Sequence, residues 1–169
     1  MKPIYLVSAC LAGANTRYDG TACPDPKIIE LVREGRAIPI CPEQLGGLTT
    51  PRHPAEIVGG HGCHVWADMA RILNDAGEDV TAAFTKGARE TLKLAKEWQV
   101  AGAILKARSP SCGIDNIYDG TFRGRLRPGP GVTAALMGEA GFTLFDENTW
   151  RADQGESIRR KGSQDDDHH

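Results

Sequence analysis

Residues 81–105 of the chain read TAAFTKGARETLKLAKEWQVAGAIL. Apolar side chains recur there at spacings of three and four residues, which predicts an amphipathic helix that begins at Asp79 or Thr81. The apolar residues that carry this periodicity are Val80, Phe84, Ala88, Leu92, Ala95 and Trp98. The apolar run 101–105 follows directly and predicts a short, buried strand. A helix that leads into such a strand is typical of α/β proteins, in which helices cover a parallel sheet.

The same alternation of strands and helices extends toward both ends of the chain. Asp25 followed by Pro26 is typical of a helix N-terminus, and Gly35 is expected to end that helix. Another helix is predicted from Val132 to Ala140. Strands are predicted over residues 4–7, 37–40, 101–105 and 142–145.

Two long Gly-rich loops, at 44–64 and 106–130, separate these elements, and the first is expected to contain one helical turn near 54–57. We therefore expect a single α/β domain over residues 1–150. It should contain a mostly parallel, Rossmann-like, doubly wound sheet with helices on both faces. Residues 151–169 are predicted to form a polar tail, and its terminal histidines are typical of an expression tag.

The composition excludes several classes of protein. With 169 residues, 40% hydrophobic and 25% charged, the chain is neither disordered nor fibrous nor a disulfide-dense small protein. A net charge of -2 disfavours duplex nucleic acid as a partner. No apolar stretch is long enough for a signal peptide or a membrane span, so we expect a cytoplasmic protein that does not bind a membrane. The oligomeric state is left open.

Three of the five cysteines directly follow predicted strands. Cys10 follows the first strand, Cys41 the second and Cys112 the third, at separations of 31 and 71 residues. Because parallel strands end at one edge of a sheet, we expect the three thiols to converge there. Cys23 and Cys63 lack this placement and are expected to be structural.

The spacing of the three cysteines favours an iron–sulfur cubane with one open iron over other metal sites. Structural zinc sites and ferredoxin clusters use four ligands, mostly at short spacing, and the chain contains no Cys-x-x-Cys motif. An open iron is a Lewis acid, and a soft sulfur atom of a substrate is its natural partner. A cysteine-nucleophile enzyme without metal and a cluster-binding sensor without turnover remain alternatives.

Polar residues beside these cysteines are candidates for catalysis. Glu43 lies two residues after Cys41 and could act as a base, or could form a salt bridge with Arg17 or Arg52. Ser109 and Ser111 precede the third cysteine and could donate hydrogen bonds, or could simply form a Ser-Pro turn.

Two other motifs are weaker. Residues 129–134 fit the dinucleotide fingerprint G-x-G-x-x-A, but the preceding segment 123–128 is too charged for a buried strand. His61 and His64 flank Cys63, yet no further zinc ligands are evident, so an exposed loop is expected there.

Several longer motifs resemble the domain-of-unknown-function 523 family, over about residues 4–147. They are Ser8-Ala9-Cys10-Leu11-Ala12-Gly13, Arg17-Tyr18-Asp19-Gly20, Cys41-Pro42-Glu43-Gln44-Leu45-Gly46-Gly47-Leu48, Thr50-Pro51-Arg52, Ser109-Pro110-Ser111-Cys112-Gly113, Ile117-Tyr118-Asp119-Gly120-Thr121-Phe122 and Gly131-Val132-Thr133-Ala134-Ala135-Leu136. Many members have a further cysteine where this chain has Thr16.

This family includes thiouracil desulfidases that carry a [4Fe-4S] cluster on three cysteines. The resemblance implies that Cys10, Cys41 and Cys112 bind the cluster, with Glu43 and either Ser109 or Ser111 as catalytic residues. It further implies non-redox desulfuration of a small thiolated pyrimidine such as 2-thiouracil. The products would be the oxo base and sulfide, and the substrate sulfur would bind the open iron.

Overall fold

The computed structural model describes residues 2–153, which fold into eight strands, six α-helical segments and one 3-10 turn at Ala9–Ala12. The strands are β1 (Tyr5–Ser8), β2 (Ala37–Ile40), β3 (Ala55–Val58), β4 (Arg71–Asn74), β5 (Gly102–Leu105), β6 (Asn116–Tyr118), β7 (Leu126–Pro128) and β8 (Thr143–Asp146). The helices are α1 (Pro26–Arg33), α2 (Pro42–Leu45), α3 (Gly62–Trp66), α4 (Thr81–Glu97), α5 (Val132–Glu139) and a last helical segment over 147–153.

Four strands form one parallel sheet in the order β2-β1-β5-β8. The chain moves from β1 to β2 on one side and later returns to β5 on the other side of β1. Ligands of open α/β sheets bind at such a reversal of strand order, outside the carboxyl ends of the strands. Pro39 lies on the edge strand β2, where a missing N–H is tolerated.

Both faces of this sheet are covered, which confirms the predicted α/β class. Leu6 and Ala103 pack into a core with α4 and α5, whereas their neighbours Val7 and Ile104 pack into a second core with α1 and Trp150. Successive residues of a strand point to opposite faces, so the continuous apolar runs of β1 and β5 are expected for central strands. No helix of the described part of the chain is long and apolar enough to cross a membrane.

The two predicted loops contain more structure than expected. The helical turn predicted near 54–57 is wrong, because β3 runs there and pairs antiparallel with β4. In the second loop, β6 and β7 form a short antiparallel hairpin. These strands depend on pairing with distant residues and expose much of their surface, so local apolar periodicity does not show them.

The predicted helix ends are largely correct. The carboxylate of Asp25 accepts hydrogen bonds from the N–H groups of Lys27 and Ile28, which caps α1. Trp98 was expected on the buried face of α4, but it follows the last turn of that helix and is 58% exposed. Residues 151–153 continue the last helical segment, and the rest of the predicted tail lies outside the described residues.

Two glycines allow α2 to lie directly against α4. A Cβ atom on Gly46 would collide with the carbonyl of Ala83, and one on Gly87 would collide with the carbonyl of Pro42. Because glycine has no side chain, the backbones of α2 and α4 approach more closely than any other residue at these two positions would permit. This contact holds α2, which carries Glu43, at the end of β2.

Candidate active site

A cavity of about 670 Å³ lies at the carboxyl ends of β1, β2 and β5. Among the predicted site residues, it is lined by Cys10, Cys41, Cys112, Glu43 and Ser109. Its volume is ordinary for a site that binds a small molecule. The three cysteines come from three separate segments, and the parallel sheet brings them to one cavity.

Cys10 and Cys41 occupy turns directly after β1 and β2, and Cys112 lies in the loop that follows β5. Cys10 lies in the 3-10 turn Ala9–Ala12, and Cys41 is the residue before the first turn of α2. Cys112 follows β5, and its N–H donates a hydrogen bond to Oγ of Ser109. All three thiols were free of disulfide bonds in the described structure.

Burial makes the three thiols weaker acids than usual. It raises the pKa of Cys10 to about 11 and that of Cys112 to about 12, and it also raises the pKa of Cys41. Lys106 opposes this shift at Cys10, as Arg52 does at Cys41. The cavity thus combines buried thiols with cations that favour their ionised form.

The described residues contain no group of three Cys, His, Asp or Glu side chains close enough to hold a single metal ion. All three cysteines nevertheless line the same cavity.

Glu43 forms a salt bridge, and of the two partners considered from the sequence it pairs with Arg52. Nε of Arg52 lies 2.8 Å from Oε1 of Glu43. Burial raises the pKa of the Glu43 carboxyl, and the Arg52 guanidinium partly offsets this rise. A carboxyl group with a raised pKa in a cavity is typical of a general acid or base.

The two candidate serines differ in what they can contact. Oγ of Ser109 accepts hydrogen bonds of 3.0 Å from the N–H groups of Ser111 and Cys112, so its own hydroxyl proton is available to the cavity. Ser111 is fully buried and its hydroxyl lies 2.7 Å from Oγ1 of Thr133. Ser111 therefore supports the turn that carries Cys112, and Ser109 faces the cavity.

Sequence reasoning missed Ser8, which lies in the cavity wall at the end of β1. Its hydroxyl accepts a 2.8 Å hydrogen bond from the N–H of Lys106, and it opposes the rise that burial causes in the pKa of the Cys112 thiol. The Lys106 ammonium is held by Glu147, at 2.9 Å. The signal was the position of Ser8 directly before Ala9-Cys10, but only the fold shows that its hydroxyl binds the backbone N–H of Lys106 at the end of the neighbouring strand β5.

The weaker motifs do not contribute to the cavity. His61 and His64 use their Nδ1 atoms to cap α3 instead of lying in an exposed loop. The segment 129–134 does start α5, but the strand before it is β7, outside the parallel sheet. This placement does not match the dinucleotide-binding arrangement, in which the fingerprint follows a strand of the main sheet.

Comparison with known proteins identifies the family. A sequence model described as 2-thiouracil desulfurase matches residues 5–149. The chain belongs to the 2-thiouracil desulfurase family. The predicted resemblance to the domain-of-unknown-function 523 family is thereby confirmed.

Two similar proteins support this membership. YbbK of Bacillus subtilis (strain 168), a protein described as uncharacterized, is 50% identical over 143 residues, which are 85% of this chain and 95% of YbbK. A solved structure of TudS (DUF523Vcz), described as a [4Fe-4S]-dependent thiouracil desulfidase, is 38% identical with a TM-score of 0.78. That similarity covers 93% of this chain and 99% of the TudS chain. The TudS fold extends the similarity from sequence motifs to the whole desulfurase domain.

Proposed function

We propose that this member of the 2-thiouracil desulfurase family removes sulfur from a thiolated nucleobase such as 2-thiouracil. The products are the oxo base and sulfide, and no net oxidation or reduction occurs. The observation that carries the proposal is that Cys10, Cys41, Cys112 and Glu43 line one cavity at the ends of adjacent parallel strands. Family membership supports the same reaction.

The donor set of the cavity fits a [4Fe-4S] cluster bound by Cys10, Cys41 and Cys112. Cysteines that would hold such a cluster must line one shared space, and these three line one cavity. Lys106 and Arg52 favour the thiolate forms that such binding requires. When bound, the cluster supplies an open iron that acts as a Lewis acid toward a thiocarbonyl sulfur.

Glu43 is proposed as the general base. Its carboxylate takes a proton from a water molecule, and the water oxygen attacks the carbon of the thiocarbonyl group. Burial raises the pKa of this carboxyl, which makes Glu43 a stronger base than an exposed glutamate. Arg52 holds the carboxylate in one orientation.

Ser109 is proposed to donate a hydrogen bond to the substrate, because its hydroxyl proton is not used within the turn. The substrate carbon becomes tetrahedral, the carbon–oxygen bond is kept and the carbon–sulfur bond breaks. The second proton of the water passes from the added hydroxyl to the sulfur, which leaves as hydrosulfide, and Glu43 releases the first proton to solvent. The carbon stays at the same oxidation level. For Ser111, the bond to Thr133 favours a positioning role in the Cys112 turn.

The buried thiols disfavour the alternative of a metal-free cysteine nucleophile. Such an enzyme needs a thiol pKa below the usual value and commonly a neighbouring histidine. Here burial raises all three thiol pKa values, and no histidine is among the described residues that line the cavity.

The test is anaerobic reconstitution with iron and sulfide, followed by incubation with 2-thiouracil. Iron content, uracil and released sulfide are measured together. We expect the single replacements Cys10→Ser, Cys41→Ser and Cys112→Ser each to lose iron and turnover, and Glu43→Gln to keep iron but lose turnover. Cys23→Ser and Cys63→Ser should keep both, and the exposed Cys63 is the matched control.

The possible outcomes are distinct. Full iron loading without uracil formation would favour a cluster-binding protein without turnover. Uracil formation by the iron-free protein would favour the cysteine-nucleophile alternative. Turnover that survives Glu43→Gln at the wild-type rate would exclude Glu43 as the base.

A further inference from the structure

The proposed reaction leaves one group of cavity residues without a role, namely three aromatic side chains. Tyr18, Tyr118 and Phe122 all line the cavity, and we call them the aromatic wall. Tyr18 is 40% exposed and Phe122 39%, whereas the thiol-bearing Cys112 is only 5% exposed. Within the lining of one cavity, Cys112 is therefore buried, whereas Tyr18 and Phe122 are open to solvent.

The two tyrosines are presented by the same local structure. The tetrapeptide Tyr-Asp-Gly-Thr occurs at 18–21 and again at 118–121. In each copy the aspartate Oδ1 accepts hydrogen bonds from the threonine N–H and hydroxyl, at 3.1 and 2.6 Å in the first copy and 3.0 and 2.6 Å in the second. Two turns of one design thus place a tyrosine at the same cavity from distant parts of the chain.

Phe122 adopts an unfavourable backbone conformation, with φ of 58°. For a bulky residue, this left-handed region is strained and occurs only where the surroundings enforce it. Here the Glu56 carboxylate enforces it, because its Oε1 accepts hydrogen bonds from the N–H groups of Gly120 and Phe122, at 2.9 and 3.1 Å. The turn is fixed in a strained form that places the phenyl ring against the cavity.

We propose that the aromatic wall binds the flat ring of the substrate and thereby makes the site prefer planar heteroaromatic thiones over acyclic thiocarbonyl compounds. The inference rests on the proposed function for the reaction and adds the class of molecule that is admitted. A nucleobase can stack on an aromatic side chain, and each such contact contributes substantially to binding. A substrate whose ring contacts the aromatic wall can direct its sulfur atom toward the buried cysteines. An acyclic thiocarbonyl compound has no ring to stack.

The first test measures binding without chemistry. Uracil carries no sulfur, so its affinity for the reconstituted holoprotein reports recognition of the ring. We expect Phe122→Ala to weaken uracil binding about tenfold by calorimetry, and Phe122→Tyr to bind within about twofold of wild type. The matched control is Leu126→Ala, because Leu126 is an exposed apolar residue of the same hairpin outside the cavity lining.

Phe122→Gly guards against failure to fold. Glycine adopts a positive φ without strain, so this variant loses the ring while the turn becomes easier to form. We expect it to melt cooperatively and to bind uracil as weakly as Phe122→Ala. Tyr18→Leu and Tyr118→Leu should each weaken uracil binding severalfold.

The second test is selectivity. For 2-thiouracil, loss of the Phe122 ring should raise KM about tenfold and change kcat less than about twofold, because stacking binds the ground state and the transition state alike. For thioacetamide, which has no ring, both constants should stay near the wild-type values. The preference for the cyclic substrate should therefore fall about tenfold.

The outcomes separate this inference from the proposed function. If the Phe122 variants turn over 2-thiouracil with unchanged uracil binding and unchanged KM, the aromatic wall does not bind the ring. The proposed reaction would still stand. If uracil binding depends on Phe122 but the protein releases no sulfide, the ring-binding role of the aromatic wall stands and the proposed reaction is wrong. A wild-type holoprotein that does not bind uracil would overturn the wall.

Discussion

Nε of Arg52 donates a 2.8 Å hydrogen bond to Oε1 of Glu43, and the two side chains are only 8% and 17% exposed. The same guanidinium donates to Oγ1 of Thr50 at 2.8 Å and to the carbonyl of Thr16 at 2.9 Å. One side chain therefore connects α2 with two loops that reach the cavity. Arg52 keeps the carboxylate of Glu43 paired in a buried position, where an unpaired charge would be strongly unfavourable.

Replacing this arginine should destabilise the protein markedly. We expect Arg52→Met to lower the free energy of unfolding by about 3 kcal/mol, because it leaves the buried Glu43 carboxylate without its partner. Urea denaturation of matched preparations measures the change. The double variant Arg52→Met/Glu43→Gln should recover part of the loss, since it removes the unpaired charge as well.

An exposed ion pair supplies the control for this prediction. Arg33 and Glu30 pair on α1 at 3.0 Å, with side chains 71% and 52% exposed. Arg33→Met should lower the free energy of unfolding by less than about 0.5 kcal/mol. Equal losses in the two arginine variants would contradict the role given to Arg52.

Ser8 should affect both stability and iron retention. Ser8→Ala removes a hydroxyl from the cavity wall and leaves the part-buried N–H of Lys106 without its acceptor. We expect a loss of about 1–3 kcal/mol in the free energy of unfolding and faster iron release from the reconstituted protein in air. Ser8→Thr keeps the hydroxyl and should resemble wild type. Identical iron release in the alanine and wild-type proteins would rule out this contact as a support for the site.

The packing of α2 on α4 predicts opposite effects for two glycine substitutions. Gly46→Ala places a methyl group against the Ala83 carbonyl and should destabilise the protein by about 1–3 kcal/mol in urea denaturation. Gly138→Ala, in the last turn of α5, has an ordinary 3.6 Å contact with Leu144 as its nearest neighbour. Alanine there should stabilise the protein by about 0.5–1 kcal/mol. The idea of an obligatory close approach fails if Gly46→Ala is as stable as Gly138→Ala.

The cap of α3 predicts a dependence of stability on pH. Nδ1 of His61 accepts a 3.2 Å hydrogen bond from the N–H of Cys63, and only an unprotonated nitrogen can do so. Burial, and then His64 and Arg127, lower the pKa of His61 below its usual 6.5. The unfolded chain therefore binds the proton more readily, so this contribution to stability is present above about pH 6.5 and is lost as the pH falls through the lowered pKa.

Melting temperatures of wild type and His61→Asn between about pH 7.5 and about pH 5 test the assignment. Asparagine caps a helix without titrating in this range. The melting temperature of the variant should decrease less on acidification than that of wild type. Parallel curves would show that His61 makes no pH-dependent contribution.

The parallel core could be predicted because its signals are local. The apolar run around Leu6 and the Asp25-Pro26 cap are each readable from a few neighbouring residues, and the structure confirms both. The pairing of β3 with β4 could not be predicted in this way. Its hydrogen bonds join Ala55 to residues near Asn74, and such pairing leaves little trace in a short window of sequence.

The candidate site, too, could be predicted only in the part that depends on local sequence. Strand ends and motif resemblance selected Cys10, Cys41 and Cys112 as ligands, and the structure places them at one cavity, while their role stays a prediction. Ser8 and Phe122 were missed as site residues because their roles depend on contacts with distant residues. Ser8 binds the N–H of Lys106 at the end of the neighbouring strand, and Phe122 is held by Glu56 from another strand.

The distribution of Cys10, Cys41 and Cys112 over three strand ends has a consequence for biosynthesis. Cys10 and Cys112 lie 102 positions apart in the chain. The sheet that brings the three cysteines together pairs β1 with β2 on one side and with β5 on the other. A ribosome-bound fragment that ends before β5 holds two of the thiols on an unfinished sheet. Contacts this distant in sequence form late during folding. Under the proposed function, the iron–sulfur assembly machinery must therefore deliver its cargo to a completed domain and not to the emerging polypeptide.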